Sequence, residues 1–415
     1  MGAGAYWSTY GTRLVVLAAG FLIGIVSARG LGPAGRGIYA ATVTSAALIV
    51  QFGNFGLSSA ILYFVSRRQR RSGTFLAVAW IAGTALLALC LPVHVILRRA
   101  GIAPAASLLV ALWAPALLAA LLQEQIFLGL KRFHQYNAMQ LGGRSLGLLA
   151  AVVAVWLHPG DPFAFVVSQL LTDVVALFAG LILLLATGLG PRLHPISVGP
   201  VAHLAWRAAP VLIIPFLLIR SDILLMQVFR GPAETGLYSV AAQLIDTLLL
   251  LPATFAQVLF VSLAKSRDAA SETARAGRFV LGALSLLALL MAVGGRWALP
   301  LLFGRRFEPS YGPLLVLLPG AVLLGFQTIV GQYFGFKGYP RFLATYWLVG
   351  FALNLGINLY AIPNFGAMGA AASSTVCYAA VTFLILRRFA RVTGLPMRSL
   401  WARRPMNSSA GKRIQ

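Results

Sequence analysis

Charge is scarce in this 415-residue chain: 10% of its residues are charged and 59% are hydrophobic. Soluble domains carry about 25% charged residues, and no enlarged core absorbs such a departure, so a soluble enzyme is excluded. Acids are scarcer still, with nine Asp and Glu in all. The five histidines are scattered through loops and helix ends without metal-ligand spacing. Both cysteines, Cys90 and Cys377, lie in apolar segments, so neither a disulfide nor a zinc site is expected. There is no GxxxxGKS/T phosphate loop, which excludes a built-in ATPase. No cleavage site of the small-residue type follows a short apolar core near Met1, and no signal peptide is expected. No loop reaches the roughly 50 residues at which domains begin. A membrane glycosyltransferase or O-antigen ligase would need a sizeable loop carrying acids and histidines, so catalysis is disfavoured. No cofactor is expected.

Apolar runs are what the sequence does have. About 20 helical residues cross a hydrocarbon layer, and twelve stretches qualify: 9–28, 38–61, 74–97, 105–130, 139–157, 163–185, 208–229, 237–261, 279–302, 314–336, 342–362 and 366–387. The chain reads as an all-α polytopic membrane protein. Its net charge of +24 comes from 33 Lys and Arg, and these lie between apolar segments rather than on one amphipathic face. Nucleic acid is therefore not the expected partner. With Arg13 counted at the N-terminus, one alternate set of loops holds 23 basic residues and the other seven: Arg29, Arg36, Arg98, Arg99, Arg230, Arg305 and Arg306. By the positive-inside rule both termini are cytoplasmic. Arginine outnumbers lysine 29 to 4, which reads as the bias of a GC-rich, bacterial coding sequence.

The chain repeats itself. Gly32-Pro33-Ala34-Gly35-Arg36-Gly37-Ile38-Tyr39 follows the first span, and Gly231-Pro232-Ala233-Glu234-Thr235-Gly236-Leu237-Tyr238 follows the seventh, giving G-P-A-x-x-G-I/L-Y at an offset of 199. Phe127-Leu128-Gly129-Leu130-Lys131-Arg132-Phe133 pairs with Tyr333-Phe334-Gly335-Phe336-Lys337-Gly338-Tyr339 at an offset of 206. Two matches at the same helix index point to duplication. Six spans per half is an even number, so the halves are parallel repeats with a path between them. The expected organisation is a six-helix bundle over 1–185, a linker over 186–207, a second bundle over 208–387 and a basic tail over 388–415, against anionic membrane lipid.

These residues also carry a resemblance. Ala28-Arg29-Gly30-Leu31-Gly32-Pro33, Phe55-Gly56-Leu57-Ser58-Ser59-Ala60, Arg220-Ser221-Asp222-Ile223-Leu224-Leu225 and Ile362-Pro363-Asn364-Phe365-Gly366-Ala367-Met368-Gly369 resemble the Wzx-type oligosaccharide flippases. These belong to the multidrug/oligosaccharidyl-lipid/polysaccharide superfamily, and the resemblance runs to about Gly394. It implies a MATE-like fold, two six-helix bundles around a central cavity that opens alternately to each side. It implies a substrate too, an undecaprenyl-pyrophosphate-linked oligosaccharide turned across the bacterial inner membrane, with other polysaccharide-assembly proteins as further candidate partners. The chain lacks the two extra helices of the lipid II flippase branch, and no individual cavity residue carries over.

Intramembrane charges cost at least about 2.5–3.5 kcal/mol each on insertion scales and usually face a cavity or a partner. Arg220 and Asp222 fall near the midplane of the seventh span, with Asp173 and Asp246 at similar depth. Glu124 lies near the inner end of the fourth span, and Arg13 and Arg144 near the inner ends of the first and fifth. Arg220, Arg144 and Arg13 are candidates for a guanidinium lining around a pyrophosphate, which suits a planar bidentate donor. Asp222, Asp246, Asp173 and Glu124 are candidates for exchanging protons or sodium. Two plainer readings stand beside these: Arg220 bridges to Asp246 or Asp173, and Arg13 and Arg144 snorkel to headgroups. Arg220 and Asp222, two residues apart, point to different faces and are not each other's partner. Pro210 and Pro215 are hinge candidates. Tyr333, Tyr346 and Tyr360 are weighed as cavity aromatics. A drug/cation antiporter on the same fold would favour acids over arginines in its cavity. A transporter of the major facilitator type is disfavoured, because Ser66-Arg67-Arg68-Gln69-Arg70-Arg71 lacks the acid of that signature.

Overall fold

The computed structural model describes residues 3–67, 72–99, 106–192, 198–263, 266, 268–337 and 340–397. The Arg68–Arg71 part of the basic loop and the tail arginines from Arg398 onward lie outside them. Eleven α-helices follow in order: α1 Ala3–Asn54, α2 Leu57–Arg67, α3 Ser72–Arg99, α4 Ser107–Gly129, α5 Phe133–Leu157, α6 Pro162–Ala186, α7 Val198–Phe229, α8 Gly231–Leu263, α9 Ala269–Phe303, α10 Tyr311–Phe336 and α11 Phe342–Thr393. Ten of them are long and apolar enough to cross a membrane.

Two of those ten are hairpins rather than rods, which brings the crossing segments to the expected twelve. α1 reverses at Gly32, where φ is 67° and ψ is −178°. Gly20 on its first arm and Thr44 on its second line one cavity, although a straight helix would hold them about 36 Å apart. α11 reverses at Gly366, φ 55° and ψ −135°. There Asn354 donates to Ser373 Oγ at 3.2 Å across nineteen residues. The turns at Gly160 and Gly231 also take positive φ, 81° and 78°. The four glycines fall into pairs at the repeat offsets, Gly32 with Gly231 and Gly160 with Gly366. Glycine adopts positive φ without strain, and each pair places it where the chain must turn back.

All four turns gather at one end of the molecule, the hairpin end. Gly160 N donates to Gly30 O at 3.1 Å, and Arg29 donates to the carbonyls of Leu301 and Leu302 at the end of α9. Arg230 reaches Pro363 O at 3.4 Å, and Glu234 caps the second arm of α11 by accepting from Ala367 N at 2.8 Å. The two copies of the G-P-A-x-x-G motif meet there. A Cβ on Gly37 would overlap the Pro232 carbonyl, and one on Gly236 would overlap the Pro33 carbonyl. This contact is reciprocal, as an axis of near two-fold symmetry between the motifs requires.

The buried apolar residues form clusters that follow the halves of the chain. One runs through α1, α2, α3, α4 and α6, and another joins α7, α9, α10 and α11. The largest belongs to the second half except for Ala28 and Ala40 of α1, both buried against it.

Several boundaries differ from the hydropathy reading. The stretch 186–207, read as a linker, is helical from Val198 onward, and α9 starts at Ala269 rather than 279. Hydropathy marks the hydrocarbon-buried part of a helix and is blind to polar turns beyond it. Asp268 caps one of these by accepting from Ser271 N at 3.1 Å, and its bonds to Ser271 hold that carboxyl below the usual range. The span read as 38–61 breaks at Phe55-Gly56, both at positive φ. The Asn54 side chain then accepts from Ser58 N at 2.9 Å and starts α2. The same Asn-Phe-Gly triplet, Asn364-Phe365-Gly366, makes the turn in α11.

Alanine at Gly366 is expected to lower the melting temperature by a few degrees and to do so more than alanine at Gly32. Each positive-φ site costs of order 1–3 kcal/mol for a residue with a Cβ. At Gly366 the new methyl also strikes the Glu234 carboxylate, whereas at Gly32 the nearest atom is Arg306 Nη1 at 3.6 Å. Thermal unfolding of the detergent-purified variants checks this, and an unchanged midpoint for Gly366→Ala would refute it.

Candidate functional site: an arginine-lined cavity between two hairpins

A cavity of about 340 Å³ lies between the α1 hairpin and the hairpin of α7 and α8. Its charged lining is Arg36, Arg144 and Arg220 against a single acid, Asp246. Arg220 pairs with Asp246 at 2.9 Å, with side chains 29% and 39% exposed. Of the bridges left open by the sequence, the one to Asp246 forms and the one to Asp173 does not. The pair is no buried strut, because both of its members line the cavity.

Arg36 is not the outward loop charge that the sequence predicts. It is 7% exposed, one turn into the second arm of α1. Its guanidinium donates to Ser27 Oγ on the first arm and to Gln243 Oε1 of α8 at 2.8 Å. The group also lies 5.3 Å from the Tyr39 ring centroid. Its Nε has no partner, and among the described residues no acid pairs with it. The signal was present in the repeat: Arg36 stands where the second copy of the motif has Thr235. Gln243 completes the link by donating to Phe21 O at 3.2 Å. The sequence reading missed both residues.

Arg144 also lines a second cavity, about 400 Å³, with Glu124 of α4 and Asp173 of α6. Trp113 Nε1 donates to Asp173 at 2.8 Å. The structure thus gathers Glu124, Arg144 and Asp173 in the first half of the chain, around a cavity that Arg220 does not line. Asp222 stands apart from both cavities. It is 2% exposed and accepts from Tyr238 OH, Ile223 N at 2.8 Å and Ser374 Oγ at 3.2 Å. These bonds tie α7 to α8 and to the second arm of α11.

The side chain of Arg13 lies outside the described residues. Pro210 and Pro215 sit within α7, which runs unbroken from Val198 to Phe229. Pro215 frees the carbonyl of Val211, and Gln51 of α1 donates to the adjoining Leu212 O at 3.4 Å. Tyr333 is buried in the second-half core, Tyr346 packs against that core and Tyr360 is exposed, and none of the three is among the residues lining the two cavities.

Twelve crossing segments in two repeats, with a charged cavity where they meet, define a multi-pass membrane protein of transporter architecture. Solved structures share the arrangement. The lipid II flippase MurJ in an inward closed conformation superposes with a TM-score of 0.73 at 10% identity, over 96% of this chain and 89% of that one. The Vibrio cholerae MATE transporter VcmN gives 0.65 at 13% identity, over 94% and 95%. A multidrug/oligosaccharidyl-lipid/polysaccharide superfamily transporter from Pyrococcus furiosus gives 0.65 at 14%, over 95% and 94%. At these identities the likeness is one of fold. Residues 2–266 match the family described as polysaccharide biosynthesis protein, and the chain belongs to that family. No curated protein matches the chain.

Proposed function

We propose that this protein is a flippase that turns an undecaprenyl-pyrophosphate-linked oligosaccharide across the bacterial inner membrane by alternating access. It acts without catalysis, with both termini cytoplasmic and the hairpin end outward. The observation that carries this reading is Arg36, a buried cation with no acid partner among the described residues, in one cavity with Arg144 and Arg220. A buried charge is expensive until something pairs with it. An entering diphosphate supplies the missing anion and accepts charge-assisted bonds from fork-shaped donors. A cavity for a cationic drug would call for the opposite balance. Family membership in polysaccharide biosynthesis supports a glycan as the cargo, and other assembly proteins would deliver and receive it.

Glu124 and Asp173 are the acids best placed to couple transport to protons or sodium. They share a cavity with Arg144, so a change in their charge alters the field at the arginine that also meets the diphosphate. Asp246 is held by Arg220, and Asp222 by its hydrogen bonds.

The test is reconstitution. Proteoliposomes loaded with a fluorescent polyprenyl-diphosphate saccharide in both leaflets are treated with an impermeant quencher. The expected result is that quenching proceeds from about half of the label to nearly all of it, at least tenfold faster than in empty liposomes. Quenching that stops at the same level with and without protein would sink the proposal.

A further inference from the structure

A third, wholly different hollow adjoins the arginine cavity. It measures about 350 Å³ and lies among α8, α9 and α10, walled by Leu244, Leu248, Leu287, Leu290, Met291 and Gly294. Thr247 is the sole hydroxyl among its lining residues, and that hydroxyl already donates to Gln243 O at 2.9 Å. On α9 the neighbouring Leu286, Leu289, Val293 and Trp297 are exposed toward what would be hydrocarbon. Leu287 and Leu290 of its own wall are exposed along with them, so the hollow opens sideways to lipid. Part of its depth comes from Gly294, where an added Cβ would meet nothing within 4 Å, whereas the adjacent Gly295 packs against Tyr311 and Leu314.

Two features set it apart from an ordinary lipid-facing crevice. Thr247 lines both the hollow and the arginine cavity, one residue from Asp246. In addition, Phe21 of the cavity meets Phe303 of the hollow edge to face, with centroids 6.0 Å apart. Charged and apolar compartments are thus joined across a single turn of α8. We propose that the hollow receives the phosphate-proximal end of the substrate's polyprenyl chain while the diphosphate sits among Arg36, Arg144 and Arg220. This rests on the flippase reading and extends it. An anionic head on a long apolar chain must keep the chain in an apolar setting while the head enters the cavity, and here the two settings touch. The chain leaves lipid rather than water, so burial of apolar area contributes little. The advantage comes from packing and from the tether between the two contacts, which raises the local concentration of each at the other.

The test uses full-length protein in lipid nanodiscs and geranylgeranyl diphosphate carrying a diazirine on its first isoprene unit. Irradiation is expected to label residues 244–248 or 287–294, and excess unlabelled geranylgeranyl diphosphate is expected to suppress that label. Gly294→Phe, which fills the hollow, should cut the labelling about tenfold and leave binding of inorganic pyrophosphate, read by calorimetry, unchanged. Labelling confined to other helices would overturn the proposal. So would a diazirine phospholipid that labels the hollow and is not displaced by geranylgeranyl diphosphate. The mapping on the unmutated protein stands even if Gly294→Phe fails to accumulate. Pyrophosphate binding with an unlabelled hollow sinks this inference alone, whereas absence of pyrophosphate binding sinks the flippase reading beneath it.

Discussion

Arg220→Gln is expected to abolish glycan export in a strain lacking its own flippase, while the protein still accumulates in the membrane near its normal level. Breaking a fully buried ion pair costs about 3–5 kcal/mol, and breaking an exposed one costs about 0–1 kcal/mol. The Arg220–Asp246 pair has about a third of each side chain open to the cavity, so the orphaned Asp246 is free to rehydrate, and the loss belongs near the lower figure. Transport loses far more. A hydrogen bond to a charged group is worth about 1.5–3 kcal/mol, roughly ten- to a hundredfold in affinity. The substitution also leaves Asp246 facing an incoming anion with its charge uncompensated. Arg220→Lys should weaken export without abolishing it, because lysine supplies the charge but not the planar fork. Poor accumulation of Arg220→Gln, restored by adding Asp246→Asn with export intact, would return the pair to a purely structural role.

Much of the fold was legible because it rests on hydropathy and on repetition. Length and apolarity alone give twelve crossings, and the G-P-A-x-x-G motif marks both copies of the first hairpin turn. Hydropathy averages over a window, however, and a helix end lying outside hydrocarbon looks like a loop, so the first turns of α7 and α9 resemble connections in the sequence. The site was harder to read for a related reason. Arg36 follows a Gly-Pro turn and sits among loop residues, where a charge ordinarily means solvent. Only the docking of Gln243 and Ser27 around it makes it a cavity residue, and that depends on how two distant hairpins meet. Arg220 shows what spacing can decide and what it cannot. Two residues apart along a helix excluded Asp222 as a partner, but the choice between Asp246 and Asp173 required knowing that α8 lies beside α7 while Asp173 of α6 lines a cavity that Arg220 does not.

The meeting of those hairpins underlies the other large expected effect. Gly37 and Gly236 each lie against the backbone of the opposite motif, and a Cβ on either would overlap a carbonyl of that backbone. A carbonyl held within a turn cannot swing aside as a side chain can, so Gly37→Ala together with Gly236→Ala must push the hairpins apart at this end. Each half keeps one apolar cluster of its own that does not depend on this contact, and the largest cluster draws its buried residues from α1 only through Ala28 and Ala40. The substitutions should therefore spare folding and disfavour the conformation closed at the hairpin end. A cysteine in place of exposed Thr247, in a background with Cys90 and Cys377 replaced, reports access to the cavity. On whole cells its reaction with an impermeant thiol reagent is expected to rise at least tenfold in the double-alanine variant, with export lost, because a carrier held open to one side completes no cycle. The double variant should still accumulate. Loss of accumulation with no rise in labelling would mean that the two glycines hold the halves together permanently, and that closure of the cavity is made somewhere else.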